Sequence, residues 1–436
     1  MAGGTWVTEN KVRPGAYINV QTNLITNNVS DRGTVLLPLI RSWGGGEFVK
    51  VDADSDFLSL LGYEIDSDEL LAVRECLKRA KTVKVWSLGG GNKAAGTLGN
   101  LTATAVYGGT RGNDIAVTVA SATVGGSTQY TVTTQLDGKT VNKQIVSGIS
   151  GLTANKFVTF SGSGALSNGT ARLTGGTNST VAESSYNDFF TKAKTESFDV
   201  MAVDSNIAGV KSKTLAFIKD LRENEGLAVQ AVLADYTTAD YQGIISVKNG
   251  VILENGSVLD KYKAVYWVAG ATAGAAVNRS NTYTVYENSV GVDVKYSNSE
   301  IIEALQEGSF VFTATAKGAA VEQDINTLTT FSAEQGSILR KNRVLRVLDT
   351  MVNDIRNIFN EYFLGKVNNN ADGRNLFKAQ ILGYLESLQA MAAISDLDKN
   401  NDVMVKAGSD ADSIVVNLAV MPVDSIEKLY MTVVVG

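Results

Sequence analysis

The 436-residue chain contains no histidine and a single cysteine, Cys76. Without histidine, the Ser-His-Asp and Cys-His pairs that activate nucleophiles cannot form, and most zinc sites lose their usual ligands. Cys76 lies in the helical stretch "DELLAVRECLKRAK", where we expect it to be a core residue in a protein made in a reducing cytosol. These absences count against an enzyme and leave only carboxylate, lysine or tyrosine chemistry open.

Proline is also scarce, with 3 residues against 42 glycines, which favours many short strands whose backbone donors are all engaged. No window approaches the roughly 18 consecutive apolar residues of a membrane span, so we expect no membrane insertion. The opening stretch "MAGGTWVTENKVRPG" lacks the charged and apolar regions of a secretory signal. A net charge of −6 and a pI near 5.1 argue against a nucleic-acid partner.

Length and patterning predict a multidomain protein of mixed α/β and α+β class. Residues 98–182 are rich in Gly, Ser, Thr and Val, and turns such as Asp137-Gly138 separate their strand-like runs. This spacing predicts an inserted all-β sandwich or barrel within an α/β body. The predicted segments are an N-terminal arm over 1–22, the first part of the body over 23–97, the inserted domain over 98–182, the α/β body over 183–340 and a C-terminal part with two long helices over 341–436.

Both ends of the chain show strand-like alternation. In the closing run "LYMTVVVG", the residues Leu429, Met431, Val433 and Val435 fall on one face. An apolar strand without a partner is a template for pairing, so the C-terminal strand is suited to joining a sheet in another molecule, and Gly15 and 400–412 are candidate flexible segments. The predicted strand arms contain Ala16, Tyr17, Ile18, Val20, Ile426, Leu429, Tyr430, Met431, Val433 and Val435.

A glycine-rich stretch, "TVKVWSLGGGNKAAG", formally matches a dinucleotide-binding pattern through Gly89, Gly91 and Ala94. That motif requires a helix next, whereas the chain continues into the strand-like "TLGNLTATAVY". We therefore predict a flexible hinge into the inserted domain rather than a nucleotide site.

A second motif, "DLDKNND", resembles the first half of a calcium-binding EF-hand loop. Its sixth position is Asn401 rather than glycine, and its twelfth is Ala407 rather than glutamate. A polar turn is the prediction. The stripe of small residues in "YWVAGATAGAAV" similarly predicts close helix packing rather than a ligand site.

Cations cluster at the start of the long helix in "RKNRVLR". On a helical wheel, Arg343 and Arg346 lie opposite the apolar stripe, which predicts either an ordinary solvated face or a surface for an acidic protein partner, with DNA a remote third alternative. The residues of this face are Arg340, Arg343, Arg346, Asn353 and Asn357.

Several blocks of the sequence, taken in order, resemble contractile tail sheath proteins of myophages and of defective prophages from Gram-positive bacteria. The blocks are "KVRPGAYINV", "GTRGNDIAV", "DYQGIISVKNGVIL", "WVAGATAGAAVNRSNTYTVY", "DINTLTTF", "NRVLRVLDTMVNDI" and "PVDSIEKLYMTVVV". The resemblance implies a structural subunit, and no enzyme, that polymerises helically around an inner tail tube and shortens to drive the tube through a bacterial envelope.

The same resemblance implies the partners. Terminal strands of two copies would add to a sheet in a third, and the basic face of helix 341–363 is the candidate contact with the inner tube. Baseplate and tail terminator proteins would complete a virion tail or phage-tail-like particle assembled in the host cytoplasm. The alternatives are a non-contractile tube or shell protein built by strand exchange, and an α/β enzyme that uses 89–91 as a nucleotide loop.

Overall fold

The computed structural model describes residues 2–4, 15–17, 29–333 and 335–435. The chain forms two compact units, one of residues 31–354 with 422–436, and one of residues 355–421 with the chain before residue 31. Near the start of the chain, β1 (Ala2–Gly4) pairs in parallel with β2 (Gly15–Tyr17).

The body of the first unit begins with a compact α/β segment, as predicted. Its elements are β3 (Thr34–Leu39), β4 (Phe48–Val51), α1 (Phe57–Leu61), α2 (Leu71–Leu77) and β5 (Thr82–Ser87). Asp56 caps α1, since its side chain accepts a hydrogen bond from the backbone N–H of Ser59, and Gly62 ends the helix in the left-handed region at φ 81°.

The inserted segment is a β sandwich, so this part of the predicted fold class is confirmed. Its strands are β6 (Lys93–Leu98), β7 (Leu101–Gly108), β8 (Ile115–Val124), β9 (Ser127–Leu136), β10 (Lys139–Val146), β11 (Val158–Ser161) and β12 (Gly169–Arg172). One sheet has the order β10-β9-β8-β12 and the other β11-β7-β6. Alternate residues of β8, Ile115, Val117 and Val119, are buried between the sheets.

The body then resumes with helix–strand alternation. Its elements are α3 (Tyr186–Ala193), β13 (Val200–Ala202), α4 (Ala208–Glu223), β14 (Gln230–Ala234), β15 (Ile244–Val247), β16 (Val251–Leu253), β17 (Val258–Leu259), α5 (Lys261–Gly274), β18 (Ser289–Val292), α6 (Asn298–Gln306), β19 (Ser309–Phe310), β20 (Phe312–Thr315) and β21 (Gly318–Val321). The long helix α7 (Asn342–Ile358) follows.

The central sheet of the body has seven strands in the order β19-β15-β14-β13-β3-β5-β4. All neighbours are parallel except β4, which pairs antiparallel with β5. Successive side chains of β3 enter different cores, because Val35 and Leu37 belong to the cluster that contains α5 and Leu36 to the cluster that contains Phe189 of α3. Both faces of the sheet are covered, which is why its strands read as continuous apolar runs.

Helix α5 confirms the prediction for the small-residue stripe. A Cβ atom on Gly270 would lie 2.3 Å from the carbonyl oxygen of Cys76, and one on Gly274 would lie 1.9 Å from that of Arg79. The helix therefore approaches α2 more closely than any larger residue permits. Cys76 is a core residue, as predicted, and burial raises the pKa of its thiol.

The second unit is mainly helical. After α7 the chain continues in a single π-helical turn, Phe359–Phe363, followed by α8 (Ala371–Ala390). Four short strands complete the fold: β22 (Ile394–Ser395), β23 (Val403–Ala407), β24 (Ile414–Leu418) and β25 (Met421–Pro422). Because β23 and β24 form an antiparallel hairpin, most of the segment 400–412 is not the flexure that the sequence suggested.

The predicted hinge at 89–91 makes close backbone contacts at Gly89 and Gly91. Gly91 has φ 142°, and a Cβ atom there would lie 1.8 Å from the carbonyl oxygen of Thr177. The backbone of Ser179 donates to the carbonyl oxygen of Gly90 at 2.6 Å. The two linkers of the sandwich cross here, so the glycines serve close backbone approach. After residue 92 the chain enters a strand, not the helix that a nucleotide-binding loop requires.

Candidate assembly interface

The apolar tail of the chain is exposed. Residues 423–435, here called the C-terminal arm, belong to no strand in the part of the chain that the structure describes. The predicted strand residues are 71–96% exposed: Ile426, Leu429, Tyr430, Met431, Val433 and Val435. Val434, on the opposite alternation, is also exposed. A run of large apolar side chains left in water is the usual mark of an interaction site.

The base of this arm is held against the body by Glu427, and Asp424 of the arm lies 3.6 Å from Lys341. Glu427 accepts hydrogen bonds from Thr282 at 3.0 Å, from Gln323 at 2.8 Å and from the ammonium group of Lys341. Only 10% of the Glu427 side chain is exposed. Partial burial raises the pKa of Glu427, but the bonds from Lys341 and Gln323 outweigh this effect, and the pKa lies below its ordinary value. We call this set of contacts the arm latch.

Sequence reasoning missed the latch. Glu427 and Lys341 lie 86 positions apart, and no local periodicity connects them. The local sequence gives no signal for Glu427, because its neighbours Asp424, Ser425 and Lys428 are also polar.

The residues predicted for the N-terminal arm are only partly described. Ala16 and Tyr17 lie in β2 and pair with β1. Ile18 and Val20 lie outside the described residues.

The hairpin β23–β24 supplies sheet edges of the kind that strand addition uses. It is a two-stranded sheet in which Val403 pairs with Leu418 and Ala407 with Ile414. Side chains on its surface, Met404 and Val415, are exposed. A two-stranded sheet is marginal by itself and gains stability from added strands.

The prediction that the basic face of α7 is exposed is wrong for its central residue, Arg346. Arg346 is 1% exposed, with its Nη2 atom 3.4 Å from a carboxylate oxygen of Asp324 and its Nη1 atom donating to the carbonyl oxygen of Arg279. Burial lowers the pKa of Arg346. The helical wheel failed because the start of α7 is buried on its polar side as well, where carboxylate and carbonyl groups replace water.

The other members of that face differ in exposure. Arg343 is 8% exposed and donates from Nε to the carbonyl oxygen of Asn278 at 3.1 Å. Arg340 is half-buried, and Asn353 bonds both backbone groups of Ala228. Only Asn357 is exposed. A contact between this helix and an inner tube stays a prediction, and Arg346 cannot present its charge to it.

The loop "DLDKNND" is a polar turn, as predicted. The Asp398 carboxylate accepts hydrogen bonds from the backbone of Asn400 at 2.9 Å and the side chain of Asn401 at 2.7 Å. Across the described residues, His, Cys, Asp and Glu side chains form no group of three or more suited to holding a metal. No helix in those ranges is long and apolar enough to cross a membrane.

Comparison with known proteins identifies the class. Models of four sheath regions match the chain: the tail sheath protein Gp18 domain III N-terminal region at 32–86, the phage tail sheath protein beta-sandwich domain at 89–178, the phage tail sheath protein central domain at 179–327 and the phage tail sheath C-terminal domain at 334–436. The β sandwich set into an α/β body is thus the architecture of a tail sheath subunit.

Individual relatives agree over the full length. The phage-like element PBSX protein XkdK of Bacillus subtilis is 39% identical, with 100% of both chains covered. The crystal structure of the sheath tail protein of Desulfitobacterium hafniense has a TM-score of 0.84 at 44% identity and covers 96% of this chain and 99% of that one. The contracted helical sheath of the anti-feeding prophage shares the fold, with a TM-score of 0.60 at 10% identity over 97% and 99% of the two chains.

The chain belongs to the phage tail sheath family, and it is a structural subunit of a contractile tail sheath.

Proposed function

We propose that copies of this chain polymerise helically around an inner tail tube, in a virion tail or phage-tail-like particle assembled in the host cytoplasm. Contraction of the polymer drives the tube through a bacterial envelope. Baseplate and tail terminator proteins lie at the two ends of the polymer. The observation that carries the proposal is an exposed apolar arm whose base is latched to the folded body. Such an arm is built to be buried by another molecule.

The arm pairs with the β23–β24 hairpin of another copy, and the N-terminal arm contributes a further strand. Five or six backbone hydrogen bonds, at about 0.5–1.5 kcal/mol each, contribute on the order of 5 kcal/mol per strand. Burial of Leu429, Met431 and Val433 adds up to about 1.5–3 kcal/mol for each side chain. These links hold the copies together while the bodies move.

Contraction draws its energy from elsewhere. Strand links that persist in the extended and contracted states contribute equally to both and shift no equilibrium. The driving energy comes from contacts between bodies that form only after contraction.

The arm is tested by removing one backbone donor. Val433→Pro eliminates an N–H group and blocks a sheet ladder at that position, whereas Val433→Thr retains strand propensity. We expect the proline variant to lose polymer formation in sedimentation assays while the threonine variant assembles. Normal polymers from Val433→Pro would contradict the strand-exchange proposal.

The alternative is a non-contractile tube or shell assembled by the same strand exchange. Electron micrographs of intact particles separate the two, because only a contractile sheath occurs in long and short forms. A single length under every triggering condition would favour the alternative.

A further inference from the structure

A groove beside the arm latch contains guanidinium groups that the fold does not fully satisfy. The groove has a volume of about 890 Å³ and is lined by Arg279, Arg340, Arg343, Tyr283 and Ile302. We call it the arginine groove. Arg343 is only 8% exposed. Within the described residues, the Nη1 atom of Arg343 has no hydrogen-bond partner, and the Nε atom of Arg340 has none either.

Buried donors without partners cost free energy, and native structures retain few of them. The carboxylates that line the groove already have other partners, although Asp424 also attracts Arg343 electrostatically. Glu427 and Asp424 both lie within ion-pair distance of Lys341, and Glu322 bonds Thr313. The groove therefore holds arginine charge beyond what its own acids neutralise.

The rim of the groove is apolar. Tyr283 is 65% exposed and lies in the left-handed region at φ 61°, where an aromatic residue is strained, and Ile302 is also exposed. An arginine-lined cleft with an exposed tyrosine at its rim has the composition of an interaction hot spot.

The chain itself carries a complementary surface. The stretch "EIDSDE", here called the acidic loop, contains four exposed carboxylates: Glu64, Asp66, Asp68 and Glu69. Glu64 lies 3.5 Å from the ammonium group of Lys139. Its backbone is held in place because Arg74 donates to the carbonyl oxygens of Ile65 at 2.7 Å and Ser67 at 3.1 Å. A pre-ordered loop loses little entropy on binding.

We propose that the arginine groove of one copy binds the acidic loop of a second copy, with bidentate guanidinium–carboxylate contacts as the specific element. The inference rests on the proposed helical polymer. Two different patches that meet form a heterologous contact, which builds a ring or an open helix rather than a closed dimer. The groove also adjoins the arm, and the arm is the segment proposed to reach another copy.

Charge reversal tests the pairing. Arg279→Glu with Arg340→Glu changes the groove while sparing buried Arg343, and Asp66→Lys with Asp68→Lys changes the loop. We expect each pair of substitutions to reduce sedimenting polymer by about tenfold or more, and the four together to restore it to within about twofold. Lys192→Glu, an exposed reversal on α3 outside the groove, is the matched control and should assemble normally.

A crosslink separates failure of this inference from failure of the proposed function. Ile302→Cys and Asp68→Cys variants, mixed and mildly oxidised, should give a disulfide-linked pair in the polymer fraction, since the native Cys76 is buried and does not compete. The groove–loop contact alone would be overturned if polymer formed without the crosslink. It would also be overturned if the four substitutions together did not restore the polymer lost in each pair. No polymer from the unmodified chain would overturn the proposed function and this inference with it.

Discussion

Arg346 illustrates how tertiary context changes the meaning of a charged residue. Its place opposite an apolar stripe is typical of a solvated position, yet its guanidinium group is enclosed by Asp324 and the carbonyl oxygen of Arg279. A buried ion pair adds little net stability, but removing one partner leaves the other charge buried and uncompensated. Charge reversal at this position therefore tests the fold before it tests any partner.

We expect Arg346→Glu to lower the free energy of unfolding by about 3–5 kcal/mol, because two carboxylates would then face each other in the core. Chemical denaturation of the purified chain measures the change. Asn357→Glu, an exposed substitution on the same helix, should stay within about 0.5 kcal/mol of the unmodified chain. An unchanged unfolding midpoint for Arg346→Glu would show that the site is open to water.

Glu427 makes the arm latch sensitive to acid. Its pKa in the folded chain lies below the ordinary value of 4.5, so its stabilising contribution is complete above that value and is lost as the pH falls through the folded-state pKa. We expect the latch to loosen at acid pH by on the order of 1 kcal/mol, allowing for partial solvation.

Amide hydrogen exchange over 424–428 as a function of pH, corrected for the intrinsic rate, measures the latch. Glu427→Gln should exchange faster than the unmodified chain at neutral pH and lose most of the additional acid dependence. Glu303→Gln removes an exposed carboxylate and serves as the control. Equal protection in Glu427→Gln and the unmodified chain would mean that the carboxylate does not hold the arm.

At the scale of elements, the junction between the sandwich and the body depends on Arg111. Its Nε atom donates to the carbonyl oxygen of Gly62 at 2.9 Å, its Nη atoms bond Asp114 and Asp137, and its guanidinium group lies 4.6 Å from the ring centre of Tyr63. One side chain thus ties a sandwich turn to the body. The sandwich and body also share one buried core cluster, so we expect them to move together.

We expect Arg111→Ala to lower the free energy of unfolding by about 2–3 kcal/mol, since it removes several hydrogen bonds to charged groups. Limited proteolysis near 88–92 and 174–181 should become faster. Lys139→Ala removes an exposed ion pair to Glu64, 3.5 Å apart, and should cost less than about 1 kcal/mol. If both variants behaved alike, the junction would not depend on Arg111.

At the scale of the whole molecule, we expect the arm to contribute to assembly rather than to folding. Its residues beyond the latch bury little surface within the single chain. A chain that ends at Glu427 should therefore unfold within about 0.5 kcal/mol of the full chain by calorimetry of the unassembled protein, while forming no polymer. A large loss of stability would show that the arm folds back onto its own body in solution.

Much of the fold could be predicted from local pattern. The small residues of α5 indicated close packing, and the spacing of strands within 98–182 indicated a sandwich or barrel, of which the structure has the sandwich. The close packing at 89–91 was missed because glycine permits close contact as readily as motion, and the contact with Thr177 comes from far along the chain. Glu427 and Arg111 were missed because their partners come from distant segments.

The sequence by itself determined the kind of element at each position and the absence of histidine chemistry, because hydrophobic period, turn residues and composition act over a few neighbouring residues. Only the tertiary structure decided which charges are buried and which apolar residues stay in water. That distinction depends on surfaces brought together from far apart, as the enclosed Arg346 and the exposed Leu429 show.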